Sequence, residues 1–253
     1  MGRLIFLLRL GLAALPGFLS VGQTALARPH TVRGGDMTFY EIYRQLWEDG
    51  DRRNAAANAG IFLSTADSSC LEPALAALAD TLAEYYEKEE YDFTEALKWA
   101  EYSFRIYSGL GRGYRYQSAK EEYRLARLWY LKGEYHRTLG SVTRAMKEFE
   151  RKGLSPELLY CYNLLGAVHY ACRDYDEAAM WFRKFSDKAR ELNDTSIMAV
   201  ALNNLAAYNN QLSDSLKSRN LVAESIRLSR KAGDSAHLCR FYLNIADLLF
   251  QAV

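Results

Sequence analysis

Proline is scarce in this chain, at 4 of 253 residues. Proline removes a backbone donor and breaks helices, so long stretches without it favour helices. Cysteine and histidine are equally sparse, at 4 each. His30, His136, His169 and His237 show no metal-ligand spacing, so no metal and no cofactor is expected. An excess of one charge is lacking as well, with 32 Lys and Arg against 31 Asp and Glu. Near-neutrality gives no basis for nucleic-acid binding, and no polybasic tract is present to hold an anionic membrane. Beyond the first thirty residues no run is apolar enough to span a bilayer. No segment alternates with period two for long enough to make a strand. What remains, 49% apolar and 25% charged residues, has the proportions of a soluble globular protein with one or two domains.

The first thirty residues stand apart. "MGRLIFLLR" carries Arg3 and Arg9, "LGLAALPGFLSVG" is an uncharged apolar run, and "QTALA" ends in Ala25-Leu26-Ala27. A charged start, a short apolar middle and an A-x-A end form a secretory signal peptide. Pro16 and Gly17 interrupt the run, which is shorter than the roughly 20 residues of a membrane span. The expectation is a signal peptide over 1–27 cleaved after Ala27, a linker over 28–36, and an exported, periplasmic or extracellular mature protein. Losing the two arginines takes the formal charge from +1 to −1. Export permits disulfides, but Cys161 and Cys172 fall on one expected helix, about 16 Å apart by helical rise. A bridge needs Cα atoms within about 7 Å. Cys70 and Cys239 lie in distant parts of the chain, and four buried free thiols are expected.

A step of forty residues organises the rest. Leu125, Leu165, Leu205 and Ile245 share a column, and Ala126, Gly166, Ala206 and Ala246 fill the next. A large aliphatic beside a tiny residue marks a recurring close contact between helices. Gly113, Gly153, Asn193 and Gly233 form a third column, of residues that tolerate the left-handed conformation past a helix end. Two residues on, Arg115, Ser155, Thr195 and Ser235 include three that can cap a helix start. A second break falls within each repeat, at Gly133, Arg173-Asp174 and Ser213-Asp214. After it come the small residues Thr138, Ala178 and Ser218, and four positions later Val142, Phe182 and Val222. Each repeat therefore reads as two antiparallel helices, A then B. Ala178 lets helix A of its own repeat approach, and Phe182 packs where the two diverge. The expected helices are 37–48, 52–66, 71–87, 91–108, 115–131, 134–152, 156–172, 175–192, 195–211, 214–232 and 236–251.

These residues resemble the tetratricopeptide repeat (TPR) family. "NLLGAVHYACRDYDEAAMWF" carries Leu165, Gly166, His169, Tyr175, Ala178 and Phe182 in the family's pattern, with His169 in place of the usual Tyr. Ala145 holds the place of helix B's second alanine in one repeat and Phe185 in the next. Forty residues is longer than the common 34, so the chain is similar to long-repeat TPR arrays of bacterial proteins. The likeness is clearest over 115–251. It weakens over 37–108, where "FTEALKWAEYSF" still reads as a helix B with Ala96 and Ala100. The resemblance implies an all-α, right-handed superhelical solenoid of antiparallel helix pairs over 37–251.

It also implies that the A helices line a concave binding face. Positions between the packing columns are Lys120, Tyr123, Arg127, Tyr130, Tyr160, Asn163, Tyr170, Asn203, Asn210, Arg240 and Asp247. Asn offers a donor and an acceptor that can pair with peptide backbone whatever its sequence. Tyr gives wide contact with few rotors to freeze, and Arg127 and Arg240 could receive a carboxylate. The expected partner is a protein or peptide, with no nucleic acid and no membrane span in the mature chain.

Catalytic patterns are missing. "GLGRG" at 109–113 follows no strand, "EKEEYD" at 87–92 reads as a solvated turn, and no G-x-S-x-G elbow occurs. A non-catalytic scaffold is expected. The last helix, in "AHLCRFYLNIADLLFQAV", places Leu238, Phe241, Tyr242, Ile245 and Leu249 on its backward-packing face and Leu243, Leu248 and Phe250 elsewhere. Terminal repeats normally turn a polar face outward. A partner chain, self-association or further sequence past Val253 would cover it. In the last case the chain would be the extracytoplasmic sensor portion of a larger membrane-anchored signalling or transcriptional regulator.

Overall fold

The structure, a computed structural model, describes residues 47–48, 50–66, 71–153, 155–211, 215–235, 237–238, 241–243 and 246. The expected signal peptide, the linker, most of the helix expected at 37–48, and Cys70, Cys239, Arg240, Ile245 and Asp247 lie outside the described residues. Nine helices have described bounds: α1 (Arg52–Thr65), α2 (Pro73–Lys88), α3 (Phe93–Gly109), α4 (Arg115–Lys132), α5 (Tyr135–Lys152), α6 (Ser155–Ala171), α7 (Tyr175–Glu191), α8 (Thr195–Gln211) and α9 (Ser215–Ala232). Helical residues recur at 47–48 and after Asp234. No strand occurs among the described residues. The fold is all-α and TPR-like, built of antiparallel helix pairs.

Local chemistry sets the helix ends. Pro73 opens α2, where its missing N–H has no helical partner to lose. Asp92 Oδ1 caps α3 by accepting from Thr94 N at 3.0 Å and Glu95 N at 3.1 Å. Asp194 Oδ1 accepts from Ile197 N at 2.9 Å, and Asp234 Oδ1 from His237 N at 3.2 Å. The caps are therefore these aspartates and not Thr195 and Ser235, which already occupy the first helical turn. A carboxylate one residue earlier reaches the N–H three positions on and suits the positive helix end.

Left-handed residues separate the helices. Gly153, Asn193 and Gly233 have φ of 67°, 54° and 69°, as their column predicts. Gly113 does not belong with them. It lies in a 3-10 turn, Gly111–Tyr114, which periodicity missed, and the left-handed residue there is Gly111 at φ 79°. The breaks at Gly133 and Arg173 are left-handed too, as is Tyr91 between α2 and α3.

The described residues fall into two compact units, 47–132 and 133–246. In the first, α1 packs on α2, α2 on α3 and α3 on α4. Small residues let these helices close up: Ala55, Ala59, Ala96 and Ala100 are fully buried, around Leu63, Leu82, Trp99 and Ile106. Leu125 and Ala126 are buried as their columns require. In the second unit each of α5 to α9 packs on the next. Its core gathers Leu159, Phe185, Ala199, Val200, Ala206, Val222 and Phe241.

In the 133–246 unit Leu165, Gly166, Ala178, Phe182 and Ala206 are buried, while Leu205 and Ala246 are half-buried. A close approach falls at Gly166. A Cβ on Gly166 would lie 2.5 Å from Cδ1 and Cε1 of Phe182, so the ring of α7 rests on the backbone of α6. One repeat later Ala206 faces the smaller Val222 in the same core. Ser218 then fastens that pair, its Oγ donating to the Ala206 carbonyl at 2.7 Å.

The expectation of four buried thiols is corrected at one position. Cys161 is buried and Cys172 exposed, and both are free. Cys172 sits in the turn after α6, where the helix has left the core. Tyr242, expected to pack backward, is 42% exposed and accepts from Arg230 Nε at 3.0 Å.

Candidate functional site

In the 47–132 unit the A helices are α2 and α4, and charge fills the space between them. Arg124, on α4, donates to the Asp80 carboxylate of α2. Its Nη1 also points at the Asp80 carbonyl, 3.4 Å away, and its Nε lies 3.4 Å from Glu121 Oε2. Lys120 Nζ stands 3.8 Å from Asp80 Oδ2. Arg127 pairs with Glu87. Burial alone would raise the Asp80 pKa, but Arg124 and Lys120 outweigh it and hold the carboxyl below its usual range. Glu121 goes the other way: burial first, then the nearby Asp80 charge, push it up to about 8. Burial also pushes the Tyr107 phenol up, with Asp80 adding to the effect.

This arrangement changes the reading of the sequence-derived row. Arg127, which could have received a ligand carboxylate, already holds Glu87. Tyr123 and Tyr130 are buried, at 6% and 2% exposure. Asp80, Glu87, Glu121 and Arg124 were not anticipated. Their signal was faint, because acidic and basic residues at helical spacing usually mark a solvated face.

The corresponding helices of the 133–246 unit, α6 and α8, meet through neutral amides. Asn204 Nδ2 donates to Asn163 Oδ1 at 2.6 Å, and both residues are fully buried. Asn163 Nδ2 and Asn204 Oδ1 are buried without a hydrogen-bond partner. One spare donor therefore sits beside one spare acceptor. Asn203, which shares Asn163's column, is buried at 1% exposure but is not the residue that Asn163 bonds. Tyr160 is buried, while Tyr170 and Asn210 are half-buried. The Tyr170 hydroxyl reaches the Ala207 carbonyl at 3.5 Å, and its ring meets Tyr175 edge-on at 5.5 Å. His169 is turned to Asp174, Nδ1 to Oδ2 at 3.0 Å.

Among the described residues no group of three or more His, Cys, Asp or Glu could hold a metal ion. None of the described helices is long and apolar enough to cross a membrane.

Helix pairs, small-residue columns and left-handed turns define a TPR-like repeat protein, a class consistent with a non-catalytic scaffold. Solved structures agree on the fold. The chain is similar to BtubC (BKLC) from P. vanneervenii, with 19% identity and a TM-score of 0.62 over 78% of this chain and 80% of that one. It is similar to the apo form of RapI, with 14% identity and a TM-score of 0.63 over 80% of this chain and 55% of that one. The third likeness is to the nearly identical TPR-like repeats of a Podosopora anserina kinesin light chain, with 15% identity and a TM-score of 0.58 over 78% of this chain and 96% of that one. No protein-family model and no curated protein matches the sequence.

Proposed function

We propose that the chain is a non-catalytic binding protein, exported after cleavage behind Ala27, whose A-helix face holds an extended peptide or protein segment. The seat is the α6–α8 face, with Asn163 and Asn204 at its centre and Tyr160, Tyr170, Asn203 and Asn210 around them. The observation that carries the reading is the spare Asn163 Nδ2 beside the spare Asn204 Oδ1. A peptide group offers one acceptor and one donor, which is what these two atoms lack. Apart from Glu157 and His169, α6 and α8 carry no Asp, Glu, Lys, Arg or His, which favours a ligand read through its backbone. Both spare atoms lie beneath the surface, so the ligand must part α6 from α8 locally. The forty-residue repeat supports a continuing row of such helix faces.

The test is selection of random-sequence peptides on the full mature chain, followed by titration of an enriched peptide. N-methylation of one peptide group should cut affinity more than alanine substitution of the side chain beside it. The joint Asn163→Ala, Asn204→Ala variant, shown to be folded by circular dichroism, should lose the enriched pool. Retention of that pool at wild-type affinity would overturn the assignment. N-terminal sequencing of the protein from its host tests cleavage after Ala27.

A further inference from the structure

Two donor–acceptor pairs cross the seam between α6 and α8. In the first, Asn163 Nδ2 is the donor on α6 and Asn204 Oδ1 the acceptor on α8, both buried and without a hydrogen-bond partner. In the second, the Tyr170 hydroxyl of α6 faces the Ala207 carbonyl of α8 at 3.5 Å, longer than an ordinary O–H···O bond. Tyr175 steadies the Tyr170 ring edge-on at 5.5 Å. The polarity is the same at both points, with the donor on α6 and the acceptor on α8. Along the seam they are separated by at least ~4.5 Å, the rise from Asn204 to Ala207, and at most ~10.5 Å, the rise from Asn163 to Tyr170. An extended peptide has a matching repeat. The C=O and N–H of one trans peptide group point to opposite sides, and the direction reverses at the next group. Alternate groups therefore present the same polarity every ~6.4–6.8 Å, within the interval between the two pairs. Each of α6 and α8 packs along α7, and side chains reaching across join them to one another.

We propose that the bound segment is an extended strand lying along the α6–α8 seam, whose alternate peptide groups bridge the two helices; this rests on the peptide-binding reading above. The first group, n, accepts from Asn163 Nδ2 through its C=O and donates its N–H to Asn204 Oδ1. The next group has the opposite polarity and bonds neither pair. Group n+2 accepts from the Tyr170 hydroxyl and donates to the Ala207 carbonyl, which has a second lone pair free of the helix ladder. Tyr170 is thus a specificity-determining residue and not only part of the rim. It fixes the register of the strand and selects segments with an N–H at both bridging groups. Proline supplies no N–H and is excluded at both.

The experiment takes a random-sequence peptide enriched on the full mature chain and replaces its peptide groups by esters, one at a time. An ester removes one N–H without adding bulk. Affinity should fall about tenfold at groups n and n+2 and hold at n+1, a loss in the range for a buried group deprived of its partner. Tyr170→Phe keeps the ring and its packing and removes only the hydroxyl. It should weaken the whole peptide about fivefold, as for one hydrogen bond, and leave unchanged a peptide cut back to end before group n+2. A scan with a single sensitive group, a group n+1 as sensitive as its neighbours, or full affinity in Tyr170→Phe overturns the strand along the seam and leaves the amide seat standing. A scan with no sensitive group, or failure to enrich any peptide, overturns both.

Discussion

In the 47–132 unit the A helices meet through Asp80, Glu87, Arg124 and Arg127, whereas in the 133–246 unit they meet through Asn163 and Asn204. Helices in the same structural role are thus joined by ions in one place and by neutral amides in the other. Buried ions are strong only while each charge keeps its partner, and removing one partner strands the rest. An amide pair is cheaper to bury but leaves donors and acceptors over, here one of each.

The sharpest way to break this contrast is Arg124→Ala. It takes the paired cation from Glu121 and leaves Asp80 with Lys120 alone, and should cost about 3–5 kcal/mol, the range for one lost partner of a buried ion pair. Exchange protection should fall in α2 and α4 and persist in α6 and α8. Equal loss in all four helices would mean that the junctions are not independent. Next comes Gly166→Ala, which drives a methyl into the Phe182 ring and should cost about 1–3 kcal/mol by overpacking. Adding Phe182→Val copies the Ala206 and Val222 arrangement of the next repeat and should recover part of the loss in chemical denaturation.

A comparable effect is expected for Asn204→Leu, which leaves Asn163 wholly unpaired and should cost about 1–3 kcal/mol. The joint Asn163→Leu, Asn204→Leu variant should lie much closer to wild type, because both polar groups leave together. If the joint variant were the worse of the two, the amide junction would be a source of stability in its own right. The smallest effect is that of Ser218→Ala, about 1 kcal/mol for one hydrogen bond to the Ala206 carbonyl, read as a small shift in melting temperature.

The helix map was legible because apolar periodicity and helix-stopping residues are local. The expected ends of α1 to α9 lie within two residues of those observed, and Gly153, Asn193 and Gly233 are left-handed as read. Gly113 misled because a 3-10 turn shifts the left-handed role to Gly111. The caps at Asp194 and Asp234 were displaced by one residue for a simpler reason. Asp, Ser and Thr all cap, and a run such as Asp194-Thr195-Ser196 does not say which of them lies outside the helix. The opposed sizes of Gly166 with Phe182 and Ala206 with Val222 were present in the columns. They are readable only once Phe182 is known to rest on Gly166.

The candidate site was the least legible part. Equivalent positions in a repeat need not touch: Asn163 bonds Asn204 and not Asn203, and Arg124 reaches back forty-four residues to Asp80. Repetition reports which residues play the same part, whereas contact depends on how adjacent helices are rotated and offset. The amino-acid sequence by itself determined that this chain makes helices, where each one stops, and that they pair through small residues, because those choices are settled within one or two turns of backbone. Only the tertiary structure decided which polar side chains are enclosed, which partner each one has and which atoms are left over, because these depend on distances between helices that no local pattern records.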